Sequence, residues 1–173
     1  MNVRNMVRCA LASALICVCA WLAVPMGDTV FTLQTFAVFL TLFLLGGKWG
    51  SAAIVVYLVL GGAGLPVFTG FRGGLGALLG ATGGYLTGFL FCGLSYWLLE
   101  ALVGREKIRL WMMIPGIGLC YLFGTLWYCF GYLPGEKMAV GFVLLRCVIP
   151  YLLPDGVKLI LAWSLARRLK PYI

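Results

Sequence analysis

The chain has no histidine, and only 10% of its residues are charged, 13 basic against 5 acidic. The first absence removes the commonest metal ligand and the commonest general base together. The seven cysteines, Cys9, Cys17, Cys19, Cys92, Cys120, Cys129 and Cys147, contain no C-x-x-C pair, so the spacing of a metal centre is missing as well. They read as small buried hydrophobes, and neither a metal nor a cofactor is expected. The shortage of charge excludes an ordinary soluble fold, whose residues are about 25% charged. Here 63% of residues are hydrophobic and mean hydropathy is +1.05, so the solvent for most of the surface must be lipid. A nucleotide-binding motif is also lacking: Gly46-Gly47-Lys48 has no upstream glycine, and Trp49 stands where Ser or Thr should follow. The chain therefore cannot drive transport by its own ATP hydrolysis.

What remains is a series of apolar runs, read as one integral membrane domain over residues 1–173. Residues 7–24, after Arg4 and Arg8, have the pattern of a signal peptide or of a first membrane helix; the equally apolar remainder favours the helix. Residues 35–60, interrupted by Gly46-Gly47-Lys48-Trp49-Gly50, predict two helices joined by a tight turn. A glycine-rich segment follows at 61–76, then a span at 75–99 ending at Glu100. A charged loop at 104–109 and a span at 111–130 come next, and the chain turns again at 131–137. Pro150 and Pro154 divide the remainder into a short helix over 138–149 and a last crossing over 155–169. The fold class is thus all-α, a polytopic bundle of six transmembrane helices. Six crossings put Arg4, Arg8, Lys48, Arg105, Lys107, Arg109, Arg167, Arg168 and Lys170 on one side, and Arg72, Lys137 and Arg146 on the other. That asymmetry places both termini in the cytoplasm. It also explains the net charge of +8 through topology and headgroups, without nucleic acid as a partner.

Three features stand out from the apolar background. Twelve of the 24 glycines fall between residues 61 and 93. They suit either close helix packing or an irregular loop, 61–74, over a cavity. Arg72 in that loop is a solvated charge or an anion contact. Pro154-Asp155-Gly156-Val157-Lys158 opens the last predicted helix, with Asp155 at its N-cap and Lys158 one turn on. The pair is either an interfacial cap or a site, since ions inside membrane helices are costly. Thr32-Leu33-Gln34-Thr35 opens the second helix at the same end. Polar groups from separate segments at one end of a bundle fit a shallow pocket for a small polar ligand with an apolar body.

The same residues resemble a known family. Thr32-Leu33-Gln34-Thr35, the run Tyr57-Leu58-Val59-Leu60-Gly61-Gly62-Ala63-Gly64-Leu65-Pro66-Val67-Phe68, then Gly80-Ala81-Thr82-Gly83-Gly84-Tyr85-Leu86, and Pro150 through Asp155 and Lys158 are similar to BioY. BioY is the biotin-specific S component of energy-coupling factor transporters. The likeness covers nearly the whole chain in order and departs at Ala81, where the family often has Pro. It implies capture of biotin at the outer face of a bacterial plasma membrane. It also implies a transmembrane coupling subunit and two ATP-binding cassette ATPases as partners. Asp155 would accept from a ureido N–H and Lys158 donate to the ureido carbonyl, with Thr82, Gly83 and Tyr85 lining the pocket. Gln34, Thr35 and Arg72 would lie nearer the carboxylate or in a lid, although the loop holding Arg72 is outside the matched segments. Ala10 and Ala14 have the A-x-x-x-A spacing of coupling-subunit docking, and equally that of ordinary helix packing. The competing readings are an S-component-like subunit for another vitamin, a membrane transferase acting on lipid, and an accessory subunit without ligand. The transferase is disfavoured, because a lone intramembrane acid without histidine supplies no acid–base pair.

Overall fold

The computed structural model describes residues 3–26, 29–104, 110–132 and 140–172. Helix α1 (Val3–Trp21) leads into a hairpin of β1 (Ala23–Met26) and β2 (Thr29–Thr32), with Ala23 opposite Thr32. Helix α2 (Gln34–Gly62) follows, then the one-turn α3 (Leu75–Leu78) and α4 (Gly83–Val103). A 3-10 turn (Leu110–Met113) enters α5 (Ile114–Leu126), which loosens into π-helical turns at Trp127–Tyr132. The short α6 (Val140–Cys147) and α7 (Ile149–Leu169) are separated by Val148 alone.

Among the described residues, five helical segments are long and apolar enough to cross a membrane: Val3–Trp21, Gln34–Gly62, Gly83–Val103, Leu110–Tyr132 and Ile149–Tyr172. The second is folded back on itself. Gly46 has φ 76° and ψ 173°, a conformation essentially confined to glycine. Gln34 Nε2 donates to the Tyr57 hydroxyl at 2.7 Å, although 23 residues separate them; in a straight helix they would be about 34 Å apart. Residues 34–45 and 47–62 are therefore two antiparallel arms, and the five segments make six rods. Glu100 seals the turn, accepting the Gly47 N–H at 2.7 Å.

The two arms form the centre, with Ala37, Val38, Leu42, Ile54 and Tyr57 fully buried. Ile16 of α1 and Ala162 and Ala166 of α7 pack against them. The Ser13 hydroxyl bonds Ala53 O at 2.8 Å and the Cys9 thiol approaches Trp49 O at 3.3 Å, fixing α1 parallel to the second arm. Leu11, Leu98, Leu122, Phe130, Ile160 and Leu161 are exposed, on a surface that suits hydrocarbon. On α4, Gly84 and Gly88 let Trp127 and Cys120 approach so closely that a Cβ would collide. The glycines on this helix are there for packing, whereas Gly74 and Gly76 meet open space.

Several expected boundaries need correction. The span predicted at 75–99 begins only at Gly83, because Leu75–Leu78 forms a separate turn on whose backbone Gly83 packs. The last crossing begins at Ile149, and Asp155 lies inside it instead of capping it. Pro150 occupies the first turn and Pro154 removes only one backbone bond near the helix start, so the helix continues through both. Its 21 residues span about 31 Å, a full membrane core. The β1–β2 hairpin was not anticipated. Arg4, Arg8, Lys48, Arg167, Arg168 and Lys170 gather at the end opposite the hairpin. Arg105, Lys107, Arg109 and Lys137, with most of the loop at 104–109 and of the turn at 131–137, lie outside the described residues.

Candidate functional site

At the hairpin end, α2, α5 and α7 converge on one carboxylate. Asp155 Oδ1 accepts from the Thr35 hydroxyl at 2.9 Å and from Lys158 Nζ at 2.8 Å. Asp155 Oδ2 accepts from the Tyr121 hydroxyl at 2.6 Å. Lys158 Nζ also donates to Thr35 Oγ1 at 3.1 Å, which closes a ring of three bonds among Thr35, Asp155 and Lys158. Asp155 is 4% exposed and Lys158 9%. Helical spacing places the two ions on one face of α7, and Thr35 sits in the first turn of the first α2 arm directly opposite. Taking such a pair out of water is unfavourable unless its remaining donors and acceptors are matched.

Thr35, Tyr121, Asp155 and Lys158 form a tetrad that does not use all of its donors and acceptors. A carboxylate has about four acceptor positions and an ammonium three donors. Among the described residues Asp155 uses three positions and Lys158 two N–H groups. One acceptor, on Oδ2, and one donor, on Lys158, are left over. Lys158 is the tetrad member that lines an open cleft of about 490 Å³, and Asp155 is bonded to it. Trp21, Leu22, Ala23 and Val24 from the end of α1 and β1 line the cleft together with Phe31, Thr32 and Leu33 from the neighbouring strand and its exit. The Phe31 ring is held by Tyr151, whose ring centroid is 4.7 Å away and whose hydroxyl donates to Val30 O at 3.1 Å. A second concavity, at the basic end beside Asn5, Arg8 and Trp49, has about 50 Å³ and holds little more than water.

The loop 63–74 lies against the same end. Its Phe68 is buried edge-on against Tyr57, with centroids 5.4 Å apart. Gly74 N–H donates to Gly61 O at 2.7 Å, and Trp21 Nε1 reaches Pro66 O at 2.9 Å. Phe71, with a positive φ of 56°, stacks on Trp21 at 5.2 Å. Trp21 thus joins the cleft wall to the loop.

Of the sequence-derived candidates, Thr35, Asp155 and Lys158 are in direct contact. Gln34 points away from them to Tyr57 and braces the two α2 arms. Tyr85 pairs with Thr125 of α5 at 3.4 Å, Gly83 is buried, and Thr82 is exposed at the start of α4. Arg72 is exposed, and its backbone carbonyl accepts from Phe68 N at 2.9 Å. Thr82, Gly83, Tyr85 and Arg72 are not among the residues lining the cleft. Sequence reasoning missed Tyr121 and Tyr57. The signal was present in both, because a phenol within an apolar span needs a hydrogen-bond partner. Ala10 and Ala14 are both exposed on α1, one turn apart.

A six-rod bundle of apolar helices with a buried ion pair beside an apolar cleft defines a multi-pass membrane protein. Comparison with known proteins is specific. A model described as the BioY family matches residues 1–173. The chain is 37% identical over 171 residues to the biotin transporter BioY of Thermotoga maritima, covering 96% of both. It is 36% identical over 172 residues to a probable biotin transporter BioY of Pyrococcus horikoshii, covering 98% of both. The crystal structure of the S-component for biotin from an ECF-type ABC transporter superposes with a TM-score of 0.84 at 26% identity, covering 98% of this chain and 92% of that one. The chain belongs to the BioY family.

Proposed function

We propose that this chain captures biotin at its hairpin end and delivers it to a coupling subunit driven by two ATPases. The observation that carries the reading is the pair of groups the tetrad leaves over. A cyclic urea presents a carbonyl acceptor beside an N–H donor, and the spare Lys158 N–H with the open Asp155 Oδ2 position supplies the complementary donor and acceptor, on side chains already joined through Oδ1. Asp155 accepts from the ureido N–H, Lys158 donates to the carbonyl, and Thr35 and Tyr121 hold the carboxylate in place. The apolar bicycle and side chain of biotin then lie along Trp21 and Phe31. Thr35 thereby belongs to the ureido end, not the carboxylate end. Thr82, Gly83, Tyr85 and Arg72 contribute to binding if the bound ligand reaches across to α4 and the loop, and Gln34 acts by bracing the arms.

Both termini are cytoplasmic in this reading, supported by the six basic residues gathered opposite the site. Exposed Ala10 and Ala14 provide a small-residue strip on which a coupling helix can dock closely. The absence of a nucleotide motif requires the energy to come from other chains.

Labelled-biotin binding to the purified chain in detergent tests the capture role. Tight, stoichiometric binding without conversion is expected. Absence of biotin binding, with another labelled vitamin bound in its place, would instead point to a different ligand. For docking, Ala10→Trp with Ala14→Trp should abolish uptake in cells that hold the partner subunits while biotin binding by the purified chain persists; retained uptake would remove this face from the interface.

A further inference from the structure

Tyr121 takes no part in the pairing of Asp155 with Lys158, yet it makes the shortest bond in the tetrad, 2.6 Å to Asp155 Oδ2. It comes from a different helix, α5, and the opposite carboxylate oxygen is already filled by Thr35 and Lys158. Without the tyrosine hydroxyl, Oδ2 would have both its acceptor positions open. With it, one remains.

We infer that Tyr121 is a specificity-determining residue, which selects a neutral urea edge over a cationic guanidinium edge by limiting Asp155 to a single open acceptor. The inference rests on the biotin reading of the site. A urea edge needs one acceptor from the protein and one donor, which matches the tetrad as it stands. A guanidinium edge carries only donors, so it needs two acceptor positions and has no use for the third Lys158 N–H. Its positive charge also opposes the ammonium. Removing the Tyr121 hydroxyl opens a second position on Oδ2, where both donors of a guanidinium edge can be accepted with the Lys158–Oδ1 bond left in place. Tyr121 is a positioning residue for Asp155 in this scheme, and its effect falls on the choice between ligands.

The experiment titrates biotin and 2-iminobiotin, whose cyclic guanidinium is protonated at neutral pH, into the purified full chain and into Tyr121→Phe. Tyr96→Phe, which removes a buried phenol hydroxyl from α4 near the basic end, serves as the control. The ratio of the two dissociation constants should favour biotin in the parent and in Tyr96→Phe, and fall at least fivefold in Tyr121→Phe. Equal weakening of both ligands in Tyr121→Phe, or an unchanged ratio, overturns the assignment of Tyr121 while leaving the biotin site standing. No biotin binding by the parent overturns the reading beneath it. If Tyr121→Phe does not fold, Tyr121→Leu removes the same hydroxyl and must show the same fall in ratio.

Discussion

Both ends of the bundle hold a carboxylate on a membrane-crossing helix, and the two are used differently. Glu100, on α4 at the basic end, accepts the backbone N–H of Gly47 and closes the turn between the α2 arms. Asp155, on α7 at the hairpin end, accepts from side chains alone among the described residues, and those side chains come from three helices. A carboxylate that holds backbone is part of the scaffold, because the chain cannot release it without opening a turn. One held by a hydroxyl, a phenol and a flexible ammonium can exchange partners for a ligand. The surroundings agree with this. The turn at Gly46–Gly50 is short and packed against Trp97 and Leu42, whereas the hairpin and the loop 63–74 leave an open cleft beside Lys158.

The largest effect is expected at Asp155. Asp155→Ala leaves the Lys158 ammonium buried without its counter-ion, an effect on the order of 3–5 kcal/mol. A biotin affinity at least tenfold weaker is expected, with a lowered melting temperature, and Lys158→Ala should weaken binding by at least tenfold too; calorimetric titration in detergent reads both. Glu100→Ala should act on the other side of the contrast. Losing a charged acceptor from the Gly47 N–H costs about 1.5–3 kcal/mol of stability, seen as a lower melting temperature, while the dissociation constant for biotin stays within about twofold of the parent. The smallest of the three effects is expected at Trp21. Trp21→Ala removes an aromatic residue from the cleft lining and the bond to Pro66 O. Affinity should fall by about three- to tenfold, corresponding to the ~1 kcal/mol of a single net hydrogen bond and part of an aromatic contact. Proteolysis within the loop 63–74 should rise alongside.

The membrane fold and three of the site's polar residues were legible from sequence, while the role of Glu100 was not. Low charge and long apolar runs required lipid, and the glycines at 46, 47 and 50 marked the fold of α2 because a reversal that tight needs a positive φ and close backbone approach. Asp155, Lys158 and Thr35 stood out as polar groups that an apolar run must have a reason to carry. Their company did not follow from sequence. Tyr121 meets Asp155 only through the packing of α5 on α7, and no local spacing reports that. Gln34 seemed a ligand contact from its place beside Thr35, yet successive helical residues point about 100° apart, and its amide turns to Tyr57. The start of α7 was misplaced because Pro154 was given the force of a helix break; near a helix N-terminus a proline forfeits one bond, and burial of the helix outweighs that. The β1–β2 hairpin was invisible because its four-residue strands carry no alternation long enough to separate from a loop.

The central claim is that the Asp155 carboxylate is kept for a ligand and the Glu100 carboxylate for the fold. Side-by-side calorimetric titration of biotin into Asp155→Asn and Glu100→Gln tests it, since each variant keeps the shape of its side chain while removing the charge and turning one acceptor oxygen into a donor amide nitrogen. The account predicts at least a tenfold loss of affinity in the first and an affinity within about twofold of the parent in the second. Equal affinities in the two variants would contradict it.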